Sequence, residues 1–173
     1  MANIKNKAVE GFTIVETLIV LAIAALIITI VLIAVPDLQR AGRNNNIKND
    51  AEHIGTGIGT YESNNNGGIP SALAITTPGT VQIGSSTSTQ NNVSISPSDK
   101  LTAATGTSYS YATACSAAST ICPGNIYYAI GYTCSATSGK TITLTAATTG
   151  VAVLYPIEIA GASGGGNVGC VQG

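Results

Sequence analysis

From Phe12 to Val35 the chain reads FTIVETLIVLAIAALIITIVLIAV, an apolar run interrupted by one charge, Glu16. From Thr17 to Val35 there is none. As a helix rising 1.5 Å per residue, this uncharged part covers about 28 Å, close to the thickness of a bilayer's hydrocarbon core. Length and composition therefore predict a membrane span. A cleaved secretory signal matches poorly, because its apolar region runs about 7 to 15 residues and ends in a small-x-small site. This run is longer and ends LIAVPD. A plain single-pass anchor, with Lys5 and Lys7 marking the cytoplasmic side, explains the span and leaves Glu16 unexplained.

A carboxylate inside an apolar segment is costly, so Glu16 needs an interface or a partner. The neighbours three and four positions away, Phe12, Thr13, Ile19 and Val20, are uncharged, which leaves no ion pair within the helix. Thr13 and Glu16 do fit the Ser/Thr-x-x-Glu capping box that closes a first helical turn. A cut between Gly11 and Phe12 would create a second kind of partner. The new α-amino group, with a reference pKa of about 7.7 to 8.0, would stand one helical turn from the carboxylate.

With Lys5 and Lys7 in a short leader, Gly11 before the junction, Phe12 after it, Glu16 fifth beyond the cut and an unbroken apolar run behind, the segment resembles the amino terminus of type IV pilins. The match runs from Lys5 to about Val35 and includes a class III prepilin leader, with Glu10 directly before Gly11 as a departure. The resemblance implies cleavage after Gly11 by a prepilin peptidase and N-methylation of Phe12. It implies that the apolar helix anchors the subunit in the inner membrane before assembly and forms the filament core afterwards. In that core Glu16 would pair with the Phe12 amine of a neighbouring subunit, where an unpaired charge is expensive. The implied partners are other pilin subunits in a homopolymer, the peptidase and a pilus assembly platform. Nucleic acid would be a partner only at the filament level.

Pro36 follows the run, then Asp37, Arg40 and Arg43, so the chain leaves the bilayer here. A proline within a helix removes one backbone bond and clashes with the carbonyl four residues back, which predicts a kink or local melting at Pro36. The resemblance implies that such a stretch unwinds on assembly, with Gly42 and Asn44 to Asn46 contributing. Beyond it, Ile47, Ala51, Ile54, Ile58 and Tyr61 recur at steps of four and three, one face of an amphipathic helix that should cover a sheet. Gly55, Gly57 and Gly59 weaken its last turns, and the NNNGG at 64–68 ends it.

The charges divide the chain. Most of them lie at or before Glu62, and beyond it only Asp99, Lys100, Lys140 and Glu158 are charged. The same later part is dominated by Thr, Ser, Ala and Gly. A flexible linker is one reading of such a composition. Three alternating segments favour strands instead: Ile126 to Cys134, Ile142 to Ala146 and Val151 to Ile157. Period two predicts a sheet with one buried face, and SATSG at 135–139 and ATTG at 147–150 are hairpin turns by composition, giving an antiparallel meander. The segment 64–125 reads as a polar connection with short strands near Val81 to Ile83 and Val93 to Ile95. Cys115, Cys122, Cys134 and Cys170 all follow the span, and three disulfide pairings are possible. Resemblance to the carboxy-terminal loop of pilins favours Cys134 with Cys170, leaving Cys115 with Cys122.

The expected fold is thus α+β: a long amino-terminal α-helix, its first half apolar and membrane-spanning and its second half amphipathic, on a small antiparallel sheet. The organisation is a leader at 1–11, a transmembrane or filament-core helix at 12–35, its amphipathic continuation at 36–63 and a disulfide-bonded β domain at 64–173. A net charge of −1 excludes a basic nucleic-acid arm. No CxxC exists and His53 is the only histidine, so no zinc or other cofactor is expected, and His53 reads as an exposed helix residue. The GxSxG at 161–165 has no histidine after it, the order a serine hydrolase requires. No paired carboxylates for acid/base work or calcium are evident in the sequence, and no enzyme is expected. Asn92-Val93-Ser94 is a sequon by pattern only. The sequence therefore points to a pilus subunit exported to the cell exterior, in a filament for adhesion, motility or DNA uptake. A pseudopilin or minor pilin of a secretion or competence system, and a membrane-anchored adhesin that never polymerises, are the alternatives.

Overall fold

The computed structural model describes residues 11–84, 92–113, 119–159 and 165–173. The chain divides into two compact units, Met1–Gln39 and Arg40–Gly173. Helix α1, Ile14–Asn64, contributes its first part to one unit and its second part to the other.

In the first unit every large apolar residue of α1 is exposed, among them Ile14 at 79%, Leu26 at 63% and Leu32 at 69%. Its threonine side chains are satisfied within the helix. The hydroxyls of Thr17 and Thr29 donate to the carbonyls of Ile14 and Ala25, each at 2.8 Å. The helix continues through Pro36 without interruption, so the melting expected there does not occur in this chain by itself. Pro36 removes only its own N–H, and the neighbouring i to i−4 bonds carry the helix past it.

The second unit begins with Arg40 and contains the amphipathic half of α1. Ile47, Asp50, Ala51, Ile54, Gly55 and Ile58 are buried, which is the predicted face. The face packs on Leu73, Val81, Ile83, Ile95, Ile126, Val151, Val153 and Tyr155, with Tyr61 at its margin. Two of the three glycines read as weak points, Gly55 and Gly57, are where strands come close, and among the described residues a Cβ at Gly59 would meet nothing within 4 Å. A Cβ at Gly55 would stand 2.9 Å from Val171 Cγ1, and one at Gly57 would meet Val93 and Ile83. The helix stops as expected: Asn66 and Gly67 take φ of 55° and 80°, and Gly67 N–H donates to Glu62 O at 2.8 Å, a left-handed cap.

The described residues beyond α1 form strands. β1 (Leu73–Thr77), β2 (Thr80–Ile83) and β3 (Asn92–Ser94) make a three-stranded antiparallel sheet. The larger sheet takes the order β4 (Lys100–Ala103), β7 (Asn125–Cys134), β9 (Thr141–Glu158), β10 (Gly166–Gln172), β8 (Ser138–Gly139). β5 (Ser108–Tyr111) pairs with both β9 and β6 (Thr120–Ile121). Two pairs, β4 with β7 and β5 with β6, are parallel, so the sheet is mixed rather than a pure meander.

Two expectations fail at β9. The ATTG at 147–150 does not turn the chain; Thr141–Glu158 is one continuous strand. Pairing passes from Ile130↔Val151 to Tyr132↔Ala146, so 147–150 stand opposite Gly131 alone, as an extended bulge. Gly131 and Gly150 adopt φ of 77° and 108°, values that favour glycine. The Gln172 side chain spans this region, accepting from Cys134 N–H at 3.1 Å and donating to Tyr132 O at 3.4 Å. The sheet is also buried on both faces rather than one. Val151, Val153 and Tyr155 face α1, while Ala152 and Leu154 pack with Tyr109 of β5, Ile121 of β6, Tyr127 and Val168 in a second core. Small residues on that second face, Ala129 and Ala152, leave room for β5 and β6 to lie close.

Candidate functional site

Gly11, Phe12 and Thr13 precede the first helical turn and are exposed. Phe12 is 88% exposed, and among the described residues a Cβ placed on Gly11 would meet nothing within 4 Å. Lys5, Lys7 and Glu10 lie outside the described residues.

Glu16 forms the capping box. Its backbone N–H donates to the Thr13 hydroxyl at 3.3 Å, while Thr13 N–H and Oγ1–H donate to Glu16 Oε2 at 2.8 and 2.9 Å. Both donors use the same oxygen. Among the described residues nothing donates to Oε1, and no basic side chain stands on the helix before Arg40.

The disulfide between Cys134 and Cys170 is present, with Cα atoms 6.1 Å apart. It joins β7 to β10, strands that each pair with β9 and not with one another. Cys122 is also disulfide-bonded, beside Asn125 and Tyr127. The expected pairing of Cys122 with Cys115 lies outside the described residues, as does most of the GxSxG at 161–165. His53 is exposed, with Nδ1 3.4 Å from Ser94 O. Among the described residues no three His, Cys, Asp or Glu side chains are grouped to hold a metal ion.

Sequence reading missed two constellations. Arg43 binds Glu158 with both Nη2 and Nε, at 2.6 and 3.2 Å. Asn44 brackets the same residue's backbone, donating to its O at 2.8 Å and accepting from its N–H at 2.9 Å. Arg43 and Asn44, at and beside the stretch named for unwinding, thus fasten α1 to the end of β9. The Arg43 guanidinium holds the Glu158 carboxyl below the ordinary value of 4.5. The second constellation corrects the expectation of no paired carboxylates. Asp50, on the buried face of α1, accepts Ser96 N–H at 2.9 Å, and burial, then the Asp50 carboxyl, push the Asp99 carboxyl up to about 6. The two aspartates are far apart in the chain, so no local spacing signals them.

By length and composition α1 includes one segment able to cross a membrane, and none of that segment is buried within the chain. No protein-family model, curated protein or solved structure matches the chain.

Proposed function

We propose that the chain is a type IV prepilin: cut after Gly11, methylated on Phe12, held in the inner membrane by Phe12 to Val35, and polymerised into an extracellular filament. The observation that carries this reading is Glu16. It is the only charge between Phe12 and Val35, in a stretch that none of the described residues covers, and it lies one turn after an exposed Gly11–Phe12 bond. The hydrocarbon of a membrane would cover the apolar helix but offers the carboxylate no opposite charge. A neighbouring copy, starting at a cationic Phe12 amine, would supply both apolar cover and that charge, and pairing the two would fix the axial register between copies.

The test is mass spectrometry of fibres sheared from cells. The reading expects a mature chain that begins at Phe12, with a methylated amino terminus. Fibres containing intact Met1 to Gly11, or no fibres containing this chain, would overturn it.

A further inference from the structure

A cleft of about 540 Å³ opens between the amphipathic half of α1 and the strands β8, β9 and β10, within the roughly 300 to 1,000 Å³ of small-molecule sites. Nothing in the reading above uses it. Tyr155 and Ile157 of β9 and Val171 of β10 line its buried or half-buried part, and Lys48 and Glu52 of α1 and Ser138 of β8 its exposed part. Tyr155 is 5% exposed, and among the described residues nothing hydrogen-bonds its hydroxyl. Gly169 stands opposite Tyr155 in the β9–β10 ladder, and a Cβ on it would overlap the Tyr155 ring. The ring is therefore admitted over β10 by the absence of a side chain there. A buried hydroxyl in a folded chain has a partner in protein, water or ligand, so the partner of this one comes from the cleft.

The charges narrow the ligand. Lys48 Nζ and Glu52 Oε1 are 3.5 Å apart, and the two side chains are 52% and 48% exposed. The wall on α1 thus has no net charge, yet it offers ammonium donors and carboxylate acceptors side by side. An anion would meet Glu52, and a cation would meet Lys48. A wholly apolar ligand would exclude water and leave the phenol and the carboxylate unpaired, which is costly. A neutral ligand with several hydroxyls satisfies all three groups: it accepts from Lys48, donates to Glu52 and bonds the Tyr155 hydroxyl, while its C–H face covers Ile157 and Val171. Burial, then the charge of Glu52, push the Tyr155 phenol above its ordinary value of 10.0, so it keeps its proton and can donate. We propose that this cleft binds a neutral saccharide, with Tyr155, Lys48 and Glu52 as its hydrogen-bonding residues. The cleft lies wholly within the unit Arg40–Gly173, so the assignment stands whether or not the chain polymerises.

The experiment is an NMR titration of the full chain in phosphocholine detergent micelles, which carry no sugar, following the signals of Tyr155, Ile157 and Val171. The probes are glucose, galactose and N-acetylglucosamine as free sugars, and lactose and diacetylchitobiose as chain ends. At least one should shift these signals saturably, with a dissociation constant of about 1 to 10 mM. A disaccharide binding at least as tightly as its monosaccharide identifies a glycan end as the source, and a monosaccharide binding alone identifies a free sugar. Tyr155→Phe keeps the ring and should weaken binding about five- to tenfold, and Glu52→Gln about tenfold. Because the Tyr155 hydroxyl serves no protein group, Tyr155→Phe should melt at the same temperature as the unaltered chain. Sulfate and benzyl alcohol, the anionic and apolar probes, should give no saturable shift. The proposal is overturned by cleft signals that no sugar moves, by sugar binding undiminished in Tyr155→Phe and Glu52→Gln, by a Tyr155→Phe chain that melts well below the unaltered one, or by sulfate or benzyl alcohol filling the cleft.

Discussion

The two parts of α1 both carry large apolar side chains and are opposite in what covers them. Between Ile14 and Ile33 those side chains are roughly half to four-fifths exposed; between Ile47 and Ile58 the isoleucines are 7% exposed or less. A buried Ile gains about 1.5 to 3 kcal/mol over an exposed one, so the second stretch is stabilised by its own sheet. Among the described residues the first has no such partner in its unit. The difference teaches that the amphipathic half is a folding element of the β unit, whereas the uniformly apolar half is, by length and composition, a segment able to cross a membrane.

The largest effects should separate the halves. Ile54→Ala, in the fully buried face, should cost about 2 to 5 kcal/mol, whereas Leu26→Ala should leave unfolding of the β unit unchanged. Denaturant titrations in detergent, read by tyrosine signals of the β unit, check both, and equal losses would break the comparison. Next comes the staple between β7 and β10. Reducing the Cys134–Cys170 bridge should destabilise the same unit by about 2 to 4 kcal/mol, and thiol labelling of unreduced protein should find no signal from either cysteine. Asn44→Ala removes two hydrogen bonds to the Glu158 backbone and should cost about 1 to 2 kcal/mol, measured in the same titration. The smallest change is electrostatic. Because the Glu158 carboxyl is lowered from 4.5 by Arg43, its contribution is complete above pH 4.5 and disappears as pH falls through the lowered value. Thermal melts between pH 6 and 3 should show that decline in the unaltered chain and a shallower one in Glu158→Gln.

What could be read from the sequence follows the range of the interactions. The faces of α1, its capping box, its stop at 64–68 and the strand at Ile126 to Cys134 rest on spacing within one element, and all are found. The 147–150 segment misled because its turn residues also suit a bulge; whether the chain reverses there depends on β7, which pairs with β9 on both sides of the segment, at Leu144 to Ala146 and at Val151 to Leu154. Burial of both sheet faces was illegible because the second cover comes from β5 and β6, short strands rich in Ser and Thr. Gly55 and Gly57 read as weak helix formers when their missing side chains are the packing. Among the candidate site residues, Gly11, Phe12 and Glu16 are proposed from local pattern alone. The Asp50–Asp99 pair and the Arg43–Asn44–Glu158 contact could not, because only the fold joins their ends.

The central claim is that Glu16 serves a neighbour as well as its own cap, and two substitutions divide those roles. Thr13→Ala removes the hydroxyl's part of the cap and leaves the carboxylate with its bond from the backbone N–H; Glu16→Ala removes the carboxylate and both bonds it accepts. Each variant, expressed as the sole copy, would be scored for membrane insertion by fractionation and for surface fibres by electron microscopy. The account predicts normal insertion for both, fibres from Thr13→Ala and none from Glu16→Ala. Normal fibres built from Glu16→Ala subunits alone, or loss of fibres in Thr13→Ala to the same degree, would contradict it.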